Sequence, residues 1–312
     1  MKTALKISLG SAFICLLTAC SLPAPAPSPG IQTRDVPFYA RNENQEPRKR
    51  LIVLPFLDEK PERAIKVAEV ARTTVVQELL RTNHFVVVKN EDFPQNLSQF
   101  MTKDREYDME KISRIASSMG VAAVLEGKIL DIRARRLGDQ IGLIRKLRAR
   151  VETTVRIRLF ATKNSREILH DVREATAETE TTRVGQYASS DRFLEEDPTL
   201  VREGVVRAFY GALGPIVKAV EKLTWEGRVA MVSGERIYIN AGRLSGIQIN
   251  DILKITEDSE EVFDPETGRF IGTAPGRMKG TVEVTSYFGR DGAIAVIHSG
   301  SGFRENDRVE LY

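Results

Sequence analysis

The stretch "KLRARVETTVRIRLF" (Lys146–Phe160) alternates in character with a period of two along its whole length. Leu147, Ala149, Val151, Thr153, Val155, Ile157 and Leu159 fall on one face. Lys146, Arg148, Arg150, Glu152, Thr154, Arg156 and Arg158 fall on the other. Successive side chains of an extended chain point to opposite sides, so this is a strand with one dry face and one wet face. Two environments produce such a strand. A transmembrane barrel turns the dry face to lipid and needs about 9–11 residues; an antiparallel sheet turns it to a core. The preceding arm, Gly127–Ile144, is interrupted by "RARRLGDQIG", aromatic girdles are missing except for Phe160, and "REATAETETTRVGQYASS" (Arg173–Ser190) is polar on both faces. These features favour the sheet over the pore strand.

Working outward, "RLIVLPFLD" (Arg50–Asp58) has the continuous apolar pattern of a buried strand. "AIKVAEVARTTVVQELLRTN" (Ala64–Asn83) spaces Ile65, Ala68, Ala71, Val75 and Leu79 as a helix does, with Asn83 as a stop. "HFVVVKN" predicts a second strand, "MEKISRIASSMGV" a helix capped at Gly120, and "AAVLEGKILDIRARR" a third strand. After Phe160, "REILHDVREATAETETT" predicts another strand. Asp197-Pro198 then opens a long amphipathic helix through Val201, Val205, Phe209, Leu213, Val217 and Val220, with a bend expected at Gly214-Pro215. Strands alternating with helices, followed by strands, imply an α/β sandwich on a mixed sheet.

After Trp225 the texture changes to short β runs separated by Gly, Asn and Asp turns, the pattern of a small β-barrel. Within it, "GIQINDILKI" (Gly246–Ile255) is echoed by "GFRENDRVEL" (Gly302–Leu311). The Asn-Asp pairs, Asn250-Asp251 and Asn306-Asp307, suit turn chemistry better than metal ligation, because both residue types tolerate turn dihedrals and bond their own backbone.

The N-terminus reads as an export signal: Lys2 and Lys6, an apolar run from Ile7 to Leu17, then Leu17-Thr18-Ala19-Cys20. The run is shorter than the roughly 20 residues a membrane helix needs. Its end resembles the bacterial lipobox, which implies cleavage between Ala19 and Cys20 and acylation (palmitate or a similar chain) of Cys20. Cys15 would leave with the signal and Cys20 would become a thioether, so the mature chain would carry no thiol for redox, metal or nucleophilic chemistry. Several acyl chains anchor stably, at roughly 0.8 kcal/mol per buried methylene. Ser21 after the Cys favours, by likeness to lipoprotein sorting, the outer membrane of a Gram-negative cell. "LPAPAPSPG" and "RNENQEPRKR" form a linker that spans about 100 Å stretched and nearer 30 Å as a coil. Without Lys2 and Lys6 the formal charge drops from +3 to +1, so no whole-protein field selects nucleic acid. At 29% charged and 42% hydrophobic residues, the chain can build one or two ordinary cores.

No enzymatic constellation stands out. His84, His170 and His298 lie in three separate segments, and Ser245 in "GRLSG" is not a nucleophile elbow. "SGSGF" (Ser299–Phe303) lacks the strand–helix context of a phosphate loop. No catalytic residue, cofactor, metal or small-molecule substrate is expected. The candidate binding feature is the basic face of Arg148, Arg150, Arg156 and Arg158, with Arg133 and Arg135 nearby, which could grip an anionic partner. The alternative is a solvated face whose guanidiniums pair with Glu152 or neighbouring acids.

From Arg50 to about Leu223 the pattern of strand with Pro-Phe, amphipathic helix, short strand and helix–Gly–Val–Ala–strand–Gly-Lys-Ile resembles a family of bacterial envelope domains. This is the TolB N-terminal-like fold shared by the curli secretion lipoprotein, the middle domain of flagellar assembly protein T and lipoproteins that activate penicillin-binding proteins. The stretches "YINAG…G…ND" and "DPETGRFIG" are similar to the C-terminal SH3-like barrel of flagellar assembly protein T. The resemblance implies an α+β chain: signal at 1–19, lipidated linker at 20–49, a mixed-sheet α/β sandwich at 50–224 and a small SH3-like β-barrel at 225–312. It further implies a periplasm-facing, outer-membrane-anchored lipoprotein that serves as a structural or assembly component of an envelope machine such as a flagellar motor ring. Protein partners and a homo-oligomeric ring come with that reading. The alternatives are a curli-type secretion pore and an activator of peptidoglycan synthesis.

Overall fold

The computed structural model describes residues 47–62, 66–138, 145–183, 198–258, 260–274 and 276–312. The expected signal, Ala19, Cys20 and the linker up to residue 46 lie outside the described residues. The first half builds a mixed sheet between two layers of helices. Strand β1 (Lys49–Val53) and the two-residue β2 (Leu57–Asp58) precede helix α1 (Val67–Arg81) and strand β3 (Phe85–Val88). Short 3-10 turns at Asn90–Asp92 and Leu97–Phe100 lead to helix α2 (Met109–Ser118), then β4 (Ala123–Gly138), β5 (Arg145–Ala161) and β6 (Arg166–Arg183). The order is β3-β1-β4-β5-β6, with β1 parallel to β3 and β4, β2 parallel to β4 off this path, and the β4-β5 and β5-β6 pairs antiparallel. Helices α3 (Pro198–Tyr210) and α4 (Leu213–Glu221) follow.

The continuous apolar run of β1 has its cause in this order. As the centre of the parallel part, it is covered on both faces, and Leu51, Ile52 and Val53 are all fully buried. Leu51 and Val53 join Leu125, Ile129, Val155 and Ile157 in one core under α1, α3 and α4. Ile52 joins Val124, Phe160 and the α2 residues Ile112 and Ala116 in a second core on the other face. Helix α1 stops where Asn83 takes φ 61°, and α2 stops before Gly120 at φ 71°. Asp108 caps the start of α2 by accepting from the Lys111 N–H at 3.2 Å.

The dry face of the opening stretch is covered by the protein's own helix. Val151, Thr153, Val155, Ile157 and Leu159 are buried beneath α3. The packing is so close that a Cβ at Gly204 of α3 would stand 2.8 Å from Thr153 Oγ1. The bend expected at Gly214-Pro215 falls earlier, between Tyr210 and Leu213, with Ala212 at the cap position of α4. Pro215 instead occupies the first turn of α4, where its missing N–H removes no helical bond.

The second half is a closed antiparallel barrel. Strands β7 (Glu226–Ser233), β8 (Arg236–Ile239), β9 (Ile252–Thr256), β12 (Met278–Phe288), β13 (Gly292–Gly300) and β14 (Arg308–Leu311) close in the order β12-β13-β8-β7-β14-β9. A separate hairpin, β10 (Glu260–Phe263) and β11 (Phe270–Ala274), stands outside the closure. Its turn is the "DPETGR" stretch: Asp264 Oδ1 accepts from the Glu266 and Thr267 N–H groups at 2.9 and 2.8 Å, and Gly268 takes φ 64°. The sequence echo is a structural repeat. Gly246 and Gly302 have φ 83° and 76°, and Asn250 and Asn306 have φ 71° and 69°. Asp251 accepts from the Gln248 N–H and Asp307 from the Arg304 N–H, each at 2.7 Å. The two turns launch β9 and β14, which pair antiparallel with each other. Turn chemistry therefore accounts for both Asn-Asp pairs.

Gly127 marks a tight point of the first core. Phe56 and Phe209 stack above it with centroids 4.5 Å apart, and a Cβ there would lie 2.7 Å from the Phe56 ring and 2.9 Å from that of Phe209. Gly127→Ala should destabilise the fold by about 1–3 kcal/mol through overpacking, measured by urea denaturation. An unchanged midpoint would show that the aromatic pair yields freely.

Candidate functional site

The wet face of β4 and β5 holds a buried charge cluster at its inner end. Cross-strand register places Glu126 opposite Arg158 and Lys128 opposite Arg156. Glu126 is 1% exposed, and its Oε2 accepts from Arg158 Nε at 2.7 Å while its Oε1 lies 3.3 Å from Arg156 Nη2. Glu106 closes the cluster from above: Arg156 Nη2 donates to its Oε1 at 2.8 Å and Arg158 Nη2 to its Oε2 at 3.2 Å. Lys128 Nζ sits 2.5 Å from Glu59 and 3.6 Å from Glu106. Three cations thus meet three carboxylates, the balance that burial demands.

The loop that carries Glu106 is itself tied down. Met101 bridges to Tyr107, and the Tyr107 hydroxyl donates to the Pro55 carbonyl at 3.0 Å. Burial, with the Glu126 charge behind it, pushes that phenol up to about 12. Burial alone would raise Glu106, but hydrogen bonding and charge from Arg156, with Arg158 and Lys128, hold its carboxyl below the ordinary range.

Of the four arginines proposed as an anion-gripping face, Arg156 and Arg158 are therefore already engaged, each with Glu106 and Glu126. Arg150 pairs with Glu178 on β6, Nη2 to Oε1 at 2.6 Å. Arg148 continues β5 between Leu137 and Glu180, and its side chain lies outside the described residues. Arg133 and Arg135 find Asp131 at 2.6 Å and Glu152 at 3.8 Å. Among the described residues, this face is a ladder of ion pairs. The histidines stay apart: His84 meets Glu221 at 3.3 Å and His170 meets Glu167 at 2.8 Å, while His298 lies on β13. Ser245 donates from Oγ to Asp291 at 2.5 Å. Among the described residues no cluster of three metal-ligating side chains occurs.

The feature that sequence reasoning missed is the seam between the two halves. Arg228 of β7 is 3% exposed. Its Nε donates to the Ser117 carbonyl at 3.0 Å, its Nη1 donates to the Asn306 carbonyl at 3.0 Å and lies 2.9 Å from Asp258 Oδ1. Asn240, at the end of β8, donates to the Met119 carbonyl at 3.0 Å and accepts from the Arg228 N–H at 2.8 Å. Arg50 on β1 answers with an Nη1 bond to the Asn240 carbonyl at 2.6 Å. Ser117 and Met119 end α2, so the Arg228 charge also meets the negative end of a helix. An Arg in an apolar run, as in "GRVAMV", is the one local signal of such burial. Beside the seam lies a cleft of about 600 Å³ whose walls include Pro47, Arg48, His84, Glu221, Arg243 and Gly246.

No protein-family model and no curated protein matches this chain. Among solved structures, it is similar to the hypothetical protein CT253 from Chlamydia trachomatis at 14% identity and a TM-score of 0.35, over 55% of this chain and 98% of that one. It is similar to lipoprotein GNA1162 from Neisseria meningitidis at 14% identity and TM-score 0.28, over 51% and 99% of the two chains. The LpoB C-terminal domain from Salmonella enterica matches at 13% identity and TM-score 0.28, over 42% and 85%. Likenesses this loose carry no argument about the site, which rests on its own geometry.

Variants at the cluster and at the seam test that geometry. Glu126→Ala removes the buried carboxylate that Arg156 and Arg158 share and leaves them Glu106 alone, which should cost about 3 kcal/mol in chemical denaturation. Because Glu106 binds its proton more weakly when folded, its contribution is complete above the ordinary glutamate range and is lost as pH falls through the lowered folded value. Glu106→Gln should accordingly flatten the acid limb of the stability curve, and an unaltered limb would deny the cluster that role. At the seam, Arg228→Ala leaves the Ser117 and Asn306 carbonyls without this donor, at about 2 kcal/mol. Combined with Asn240→Ala it should split a single thermal transition into two.

Proposed function

We propose that this chain is an outer-membrane lipoprotein, acylated at Cys20, that presents the sheet domain and barrel to the periplasm as a structural or assembly component. The observation that carries the reading is the order Lys2/Lys6, apolar run, Leu17-Thr18-Ala19-Cys20 and proline linker, leading into a body that starts at β1. The body supports a binding role over a catalytic one: its buried charges are matched to each other, and its longest strands are packed under its own helices. Protein partners and a homo-oligomeric ring belong to this proposal. The flagellar version rests on the barrel motifs "YINAG" and "DPETGR" alone. A curli-type pore is the weaker reading, because β5 would have to shed α3 from Val151, Thr153 and Val155 to reach lipid.

Labelled palmitate should enter the wild-type protein and not Cys20→Ala, and Ser21→Asp should shift the protein to the inner-membrane fraction. Label retained by Cys20→Ala would end the lipoprotein reading. The detergent-solubilised protein should form closed assemblies without conductance in planar bilayers; conductance would favour the pore, and a strict monomer would remove the ring.

A further inference from the structure

The cleft beside the seam has the composition of an anion site. Four segments form it: the chain entering β1, the turn between α1 and β3, the end of α4, and the barrel loop after β8. Arg48 and Arg243 both line it, and neither has a carboxylate partner among the described residues. Arg243 is held in place by stacking, its guanidinium carbon 4.8 Å from the Tyr287 ring centroid. The Arg48 main chain is fixed by an N–H bond to the Ser245 carbonyl at 2.8 Å. Lys49 beside them is already engaged, its Nζ donating to the Glu221 carbonyl at 2.8 Å. Against these stands one carboxylate, Glu221, which His84 already faces at 3.3 Å. Two guanidiniums, Arg48 and Arg243, against one acid already faced by a histidine differ from the balanced cluster on the sheet.

We infer that this cleft binds a phosphate group, and that its source is the anionic headgroup of the lipid surface to which the chain is tethered. Planar guanidiniums match phosphate oxygens with paired N–H donors. The location supports the source: Pro47, where the linker from Cys20 joins the fold, is itself a wall of the cleft. The headgroup assignment rests on the lipoprotein reading; the phosphate site does not.

The test uses the full mature chain carrying Cys20→Ala, which removes the acyl anchor, so failed acylation of Cys20 cannot affect the result. Cosedimentation with phosphatidylglycerol vesicles, compared with phosphatidylcholine vesicles, should show a preference for the anionic lipid that weakens with salt. Arg48→Ala and Arg243→Ala should each reduce that binding about fivefold, as expected for one basic residue at an anionic surface. Arg135→Ala, on the open sheet face, should not. Inorganic phosphate should compete, and its binding followed by phosphorus NMR should be lost in the Arg48/Arg243 double variant. Equal binding by the cleft variants and wild type, or an equal loss in Arg135→Ala, would overturn the site. Phosphate binding without any vesicle preference would overturn the headgroup as its source. Unchanged melting temperatures in the variants would confirm that the fold is intact.

Discussion

The buried guanidinium of Arg228 ties the two halves together. Arg228 reaches from the first barrel strand to the last turn of α2, and with the same group it bonds a turn of its own barrel. Burying an arginine is costly unless its donors are satisfied and its charge is met. Here the acceptors come from both halves, so neither half alone can satisfy it. The register of the barrel against the sheet, and with it the shape of the cleft at Arg48 and Arg243, depends on that shared debt of hydrogen bonds. Asn240 serves the same end with neutral groups, spanning the Met119 carbonyl, the Arg228 N–H and the Arg50 side chain.

Charge placement separates what is structural from what is available. At the inner end of β4 and β5, cations and carboxylates alternate across strands until Glu126 can be buried. Farther out, Arg150, Arg133 and Arg135 take single acidic partners in solvent, where such pairs contribute little. Guanidiniums without a carboxylate partner among the described residues appear instead at the seam cleft, Arg48 from the chain entering β1 and Arg243 from the barrel loop after β8.

Much of this was legible in the sequence, and the limits have physical causes. The period-two pattern of Lys146–Phe160 identifies a strand with one covered face because pleating is local, and α1, α2 and the Asn-Asp turns are equally local matters. The echo of Gly246–Asp251 in Gly302–Asp307 is readable because the same backbone dihedrals demand the same residue types. The bend misplaced at Gly214-Pro215 shows the limit of punctuation residues: a proline can end one helix or begin another, and which it does depends on packing around Phe209 and Ile216. Pairing of the arginines with neighbouring acids was legible as one of two readings, but the partner Glu106 was not, since it arrives from a loop about fifty residues away in sequence. Nor was the seam, whose bonds join α2 to β7 across more than a hundred residues.

Strand β14 lies between β7 and β9, pairing with both. The barrel therefore cannot close as the polypeptide emerges; its first strand waits for its last. Until Arg308–Leu311 arrives, β7 and β9 each present an open edge, the kind of surface that recruits foreign strands. Contacts so distant along the chain also form late and slowly. Closure is thus a completeness check on the chain. A chain cut short by a few residues would keep its sheet domain yet carry an unsealed barrel that proteases and chaperones can distinguish from the finished one.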